Sequence, residues 1–426
     1  MSTISSTRDS PSDDAIERAG MELGHAPAGL LRSGVDEHTR QEATRLCARD
    51  YLEHHVFFNE MGHHNHFNHH LLSIFTMGAS SQRLQEVFDL HKTIQLPLLA
   101  HYGGDQITST NLFQHATDEK YYSRFVEYFR RELDSAGSGW KEYACNLSMA
   151  PQMLPLTMSG VFHPLIQLGY GLEFESKAIT AMGLAQACAH APFFETMFSP
   201  GVFGTICGKT QDNEHCGASL MQIVRMIRDD PIALGMEYDP QPHLNHSIVG
   251  AAEKLAIMYT ALWAVPPTKE AISAKYCELQ SFVALFYGGL TRPGHKPVLQ
   301  FIGMHCLTSA YFLPIYFDCM PIETQAVLLK AHYVFEKAIV SDDLHVSKVV
   351  RSLWRGSMLT SPPQAKLAAD YELPPQINWL YLAHMTTDTI TASFFEDIAV
   401  QAKAGKQYWV YGMVGRDEFW SACLKE

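Results

Sequence analysis

Apolar residues return every three or four positions through most of this chain, whereas runs alternating with period two are scarce. Ser81 to Lys92 sets Leu84, Val87, Phe88 and His91 on one face, and Glu119 to Leu133 does the same with Tyr122, Phe125, Tyr128 and Phe129, charges lying opposite. The period continues through 177–190, 218–227, 248–263, 269–287, 298–313 and 323–339. One short segment, 407–414 (QYWVYGMV), is the best strand candidate. Glycine and proline cluster between the helical segments, and no cluster is long or polar enough to separate two domains. The pattern predicts an all-α protein: a disordered tail over 1–16, without a secretory signal, then one large helical domain over 17–426.

Such a chain of 426 residues buries enough apolar surface to fold without disulfides. Its nine cysteines form no C-x-x-C pair and read as reduced core thiols. A net charge of −13 leaves no basic excess to displace counterions from nucleic acid. Two uncharged stretches, 144–172 and 297–317, approach membrane-spanning length, but internal prolines and polar residues favour burial in a protein core. The expectation is a cytoplasmic protein with no membrane or nucleic-acid partner, and nothing in the sequence sets an oligomeric state.

What no helical fold requires is the histidine content. Of 22 histidines, seven lie between His54 and His70, five of them within the eight positions from His63 to His70. In NEMGHHNHFNHHLLSIF, Gly62 and Asn65 suit a turn or helix start, and Phe67, Leu71, Leu72 and Phe75 suit a buried helix. On that helix His66 and His70 stand four apart, able to share a face within reach of one ion. A histidine alone on an apolar helix is more often a hydrogen-bonded core residue, but five together point to a buried metal site. Three others, His163, His305 and His345, sit in apolar surroundings. Each, taken singly, reads equally well as a core residue or a ligand. His345 stands three positions before Lys348, and both face one way on a helix begun by Ser341 or Asp342.

Several chemistries lack their motifs. No G-x-G-x-x-G follows a strand, and there is no P-loop, G-x-S-x-G elbow or H-E-x-x-H. No histidine is followed two residues later by an acid, so the H-x-D/E pair that often supplies two-His-one-carboxylate iron sites is also missing.

The strings GHHNHFNHHLL at 62–72, HPLIQLGYGLEF at 163–174, GMHCLTSAYFLP at 303–314 and DDLHVSKVVRSL at 342–353 resemble, in order, the fungal questin oxidase-like family. The resemblance implies oxygenases that open the ring of anthraquinones and related aromatic polyketides in secondary metabolism. Some members are described as Baeyer–Villiger oxidases. At least one is a non-haem iron dioxygenase holding its metal with four histidines and a carboxylated lysine. Carried onto this chain, it implies His66, His163, His305 and His345 as ligands of Fe(II), with Lys348 as the carboxylated lysine. His64, His69 and His70 share the first motif. His70 and Arg292 are the candidate catalytic residues, Arg292 pairing with a phenolate or carboxylate, and Tyr170, Phe162, Phe301 and Tyr311 are candidates for an aromatic pocket. Four neutral imidazoles leave a divalent ion with its full charge in an apolar interior, and a lysine carbamate would supply the missing anion. Read without the resemblance, Lys348 is a surface residue paired with Asp342 or Asp343.

The expected function is a non-haem iron dioxygenase cleaving an anthraquinone-type polyketide with molecular oxygen. Its rivals are an NADPH-dependent Baeyer–Villiger-type oxidase of the same substrates and a non-catalytic polyketide-binding protein.

Overall fold

A computed structural model of the chain describes residues 35–59, 62–98, 105–192, 217–237, 246–289, 299–335 and 379–389, with shorter pieces at 19–24, 351–353, 355–357 and 409–410 and some single positions. The expected tail over 1–16 lies, but for three single positions, outside them. The protein is mostly helical. Its helices are α1 (Glu37–Glu53), α2 (Phe67–Thr76), α3 (Ser81–His91), α4 (Tyr122–Ser135), α5 (Trp140–Ser148), α6 (His163–Glu173), α7 (Lys177–Ala189), α8 (Leu220–Arg228), α9 (His246–Thr260), α10 (Lys269–Gly288), α11 (Phe301–Ala310), α12 (Ile322–Phe335) and α13 (Trp379–Thr389), with shorter turns between. Among the described residues no helix is long and apolar enough to cross a membrane.

Short polar side chains start these helices where the hydrophobic period begins. Asp36 accepts from Thr39 N at 2.7 Å and Thr268 from Ala271 N at 3.2 Å, each satisfying a first-turn N–H that has no partner inside the helix. Ser219 and Gln222 close a reciprocal capping box on α8. The helix expected over 298–313 is divided. Leu299–Gln300 form a two-residue strand, β1, paired in parallel with β2 (Trp409–Val410), so only that much of the strand expected over 407–414 lies among the described residues. Gln300 then caps α11, and the helix ends at Ala310, because the ring of Pro314 would strike that residue's carbonyl in a continued helix.

Two of the helices, α6 and α11, are buried along their whole length, and α7 is nearly so. Helix α6 packs against α2, α7 and α11. At Gly171 an added Cβ would lie 2.3 Å from Thr180 Oγ1, so the absence of a side chain there lets α6 and α7 touch at their backbones. The apolar residues of these elements join one contiguous hydrophobic cluster. Histidines on α6 and α11 are thus held in a medium that cannot solvate them.

Candidate metal centre

His66 ends a compact loop that leaves α1. Phe58 N donates to His63 O at 2.8 Å and Asn65 N to Val56 O at 2.6 Å, and Gly62 turns the chain at φ +77°. Asn65 braces the loop twice, accepting from Phe67 N at 2.9 Å and donating to Asp50 Oδ1 at 2.9 Å. His66 therefore caps α2 rather than lying in it, with φ −102° and ψ 5°.

His163 opens α6 after three consecutive left-handed residues, Gly160 (φ +57°), Val161 (φ +55°) and Phe162 (φ +62°). For a β-branched valine this is a steric outlier, and each such residue stores about 1–3 kcal/mol of strain. The turn brings Gly160 O to 2.5 Å from His163 Nδ1. His305 sits within α11, its Nδ1 3.0 Å from Phe301 O, one turn back.

These three histidines meet. The Nε2 atoms of His66 and His163 are 2.8 Å apart, and one ring nitrogen from each of His66, His163 and His305 lies within 4.8 Å of the others. Each Nδ1 faces a backbone carbonyl, that of His66 contacting His64 O at 2.5 Å. A carbonyl can only accept, so each Nδ1 carries the proton and each Nε2 presents its lone pair. Two such nitrogens at 2.8 Å repel unless a cation lies between them. A proton would create a buried imidazolium, and among the described residues no carboxylate joins the three. A metal ion satisfies all three nitrogens together, and carbonyls on the remote nitrogens are the usual support of metal-bound imidazoles. The donor set fits a borderline divalent metal such as iron or zinc.

Further rings surround the trio. His64 stacks on His163 at 4.1 Å and on His190 at 5.0 Å, both within 9° of parallel. Burial, then the neighbouring histidines, hold His64 well below the usual histidine range, so it is neutral. His69 stands between His163 (6.0 Å) and Tyr170 (5.3 Å). The Tyr170 hydroxyl meets Ser73 Oγ at 2.5 Å and donates to His69 O at 3.1 Å. Phe301 packs on His305 at 4.4 Å, and Phe162 on His332 at 4.6 Å. Burial pushes His332 down to about 3. Tyr311 donates to Glu173 Oε1 at 2.7 Å, and the buried Arg351 pairs with the same oxygen.

The structure does not aim His70 at this centre. Its Nδ1 lies 3.1 Å from His91 Nε2, against α3. The spacing of four residues gives a shared face only when both residues are helical, and His66 departs from cap geometry. The neighbours from the same motif that stand beside the trio are His64 and His69. Arg292, His345 and Lys348 lie outside the described residues. The sequence did not single out the stacking of His64 and His190 or the pairing of Glu173 with Arg351. A glycine three residues before His163 was the one available sign of its unusual turn.

At Gly160 an added Cβ would sit 2.8 Å from the His64 ring, in a backbone conformation that L side chains resist. Gly160→Ala is expected to cost about 1–3 kcal/mol in thermal denaturation, and to weaken metal retention against a chelator by about 10- to 100-fold. An unchanged chelator curve would show that the turn does not place His163.

Residues 63–336 match the questin oxidase-like family model. The chain is 24% identical over 410 residues to oxidoreductase AflY of Aspergillus parasiticus, covering 84% of this chain and 80% of that one. It is 30% identical over 276 residues to Baeyer-Villiger oxidase mdpL of Emericella nidulans, covering 61% and 60%. To a questin oxidase of Aspergillus fumigatus it is 25% identical over 399 residues, covering 82% and 88%. The matched region contains His66, His163 and His305 with the turn that orients them, and the chain belongs to the questin oxidase-like family of oxidoreductases.

Proposed function

We propose that this protein is a non-haem iron dioxygenase that opens the quinone ring of an anthraquinone-type aromatic polyketide. The observation that carries the reading is the convergence of His66, His163 and His305, their Nδ1 atoms held by carbonyls and the His66 and His163 Nε2 atoms 2.8 Å apart. Relatives named questin oxidases and Baeyer–Villiger oxidases support the oxygenase class and the substrate class. His345 and Lys348, the latter carboxylated, would complete the ligand set and bring the anion that three imidazoles lack.

Bound iron supplies Lewis acidity and one-electron chemistry with dioxygen. The chain's own residues provide the rest. Buried carbonyls fix the tautomers, and the left-handed turn and cap geometry aim the imidazoles. Phe162, Tyr170 and Phe301, buried beside the histidines, keep water from them. Opening by a dioxygenase leaves both atoms of one oxygen molecule in the product. To give a carboxylic acid and a phenol, the substrate must enter as its hydroquinone form, which itself supplies the two electrons and two protons. The Baeyer–Villiger names favour a second reading, in which one atom enters as an ester oxygen and the other leaves as water with two electrons from NADPH. The absent dinucleotide motif weighs against it.

Elemental analysis of the isolated protein should find near-stoichiometric iron. Turnover of a hydroxyanthraquinone, supplied as its hydroquinone, under isotopically labelled dioxygen should place two labelled atoms in each product without consuming NADPH. Full activity after complete iron removal would overturn the proposal. One labelled atom with matching NADPH oxidation would establish the second reading, and binding without turnover would establish a carrier.

A further inference from the structure

Beyond Tyr170 the row of rings that starts at the histidines ends on positive charge. The Arg351 guanidinium lies 5.5 Å from the Tyr170 ring and 4.5 Å from the Tyr311 ring, and the Arg355 guanidinium lies 4.9 Å from that same Tyr311 ring. Arg351 is 2% exposed. One of its nitrogens, Nη2, pairs with Glu173 Oε1, an oxygen that also accepts from Tyr311. Its Nε and Nη1, and the buried Nε of Arg355, meet no carboxylate among the described residues, and the acceptors nearest to them are the neutral phenols of Tyr170 and Tyr276. Among the described residues Glu173 is the one carboxylate seen to pair with either guanidinium, and it pairs with Arg351. The nearby phenols cannot supply the missing anion, because burial raises Tyr170, Tyr276 and Tyr311 above the usual tyrosine range and keeps them protonated. Arginine does not shed its proton, so its buried N–H groups call for an acceptor, and an anionic one most of all.

We propose that Arg351 and Arg355 form a subsite for an ionised phenolic oxygen of the aromatic substrate. The planar guanidinium forks hold that oxygen in charge-assisted hydrogen bonds. Tyr170, whose ring lies 5.3 Å from that of His69 and 5.5 Å from the Arg351 guanidinium, links the two groups, so a ring system anchored at the arginines extends toward the histidines. The subsite selects hydroxylated ring systems over bare ones and binds the phenol as its anion. This inference rests on the reading of the chain as an anthraquinone oxygenase, and it assigns the anchoring role to these arginines on the geometry of the described residues.

The test uses the purified full chain and 2-hydroxyanthraquinone, whose phenolate absorbs at longer wavelength than its phenol. At about one pH unit below the ionisation of the free dye, the wild-type protein should bind it in the long-wavelength form. Arg351→Gln would strand the Glu173 carboxylate, so Arg355→Gln, at a half-buried position, carries the measurement. It should weaken binding of the dye by about 10- to 100-fold and leave binding of unsubstituted anthraquinone unchanged. Binding of the dye without the colour change would overturn the inference alone, as would equal weakening of both ligands by Arg355→Gln. Tighter binding of anthraquinone-2-carboxylate with no coloured form of the hydroxy dye would show a carboxylate site and overturn it too. Failure of every one of these ring systems to bind the wild-type protein would instead overturn the functional reading beneath it.

Discussion

If the protein is the iron oxygenase proposed, His163→Ala is expected to leave it with less than about a tenth of the wild-type iron, and to slow turnover by about a thousandfold or more, which corresponds to about 4 kcal/mol. His163 is the hinge of the trio: its Nε2 faces that of His66 at 2.8 Å, and its ring lies 4.9 Å from that of His305. Alanine removes one proposed ligand and also the ring on which His64 stacks, so the remaining imidazoles lose their orientation as well as their partner. Iron content by elemental analysis and oxygen uptake with a hydroxyanthraquinone, supplied as its hydroquinone, read the two effects separately. His70→Ala should retain wild-type iron content, because that ring contacts His91 on α3. Equal loss of iron in both variants would mean that the deficit reflects unfolding. Full iron in His163→Ala would remove His163 from the ligand set.

The second large effect concerns stability. Glu173→Ala should lower the free energy of unfolding by about 3–5 kcal/mol, since removing one partner of a buried ion pair strands the other. Glu173 and Arg351 are both almost wholly enclosed, and Tyr311 donates to the same carboxylate. Burial works against the Arg351 charge, but Glu173 and the flanking tyrosines outweigh it and raise the group further, so it cannot relieve the loss by deprotonating. Urea denaturation checks the prediction, with an unchanged denaturant slope confirming that only stability has moved. A loss below about 1 kcal/mol would show that water reaches the pair.

The sequence pattern exposed the helical class, and the family resemblance joined the three histidines that meet, both unevenly for physical reasons. Helices such as α4 are amphipathic, and their apolar stripes are visible one residue at a time. His163 and His305 stood out because a polar ring in an uncharged stretch needs an explanation. The expected His66–His70 pair failed because periodicity describes helices, whereas His66 occupies the cap before one. The turn at Gly160–Phe162 was hidden more deeply. Valine and phenylalanine disfavour the left-handed region, so local preference argues against the conformation that tertiary contacts impose. Glu173 and Arg351 are 178 positions apart, and no local pattern links them.

The same wide spacing governs how the centre comes into being. His66 and His163 are separated by 97 positions, and His305 follows only after α7 to α10 and the strand β1 have been made. A nascent chain that has just released α6 offers two facing imidazoles and exposed apolar helices, but no enclosed site. On the proposed reading, metal loading follows the docking of α11 against α6, and contacts so distant in sequence are slow to form. Truncation anywhere before α11 removes His305, so the trio is completed only when the two halves of the helical core are joined.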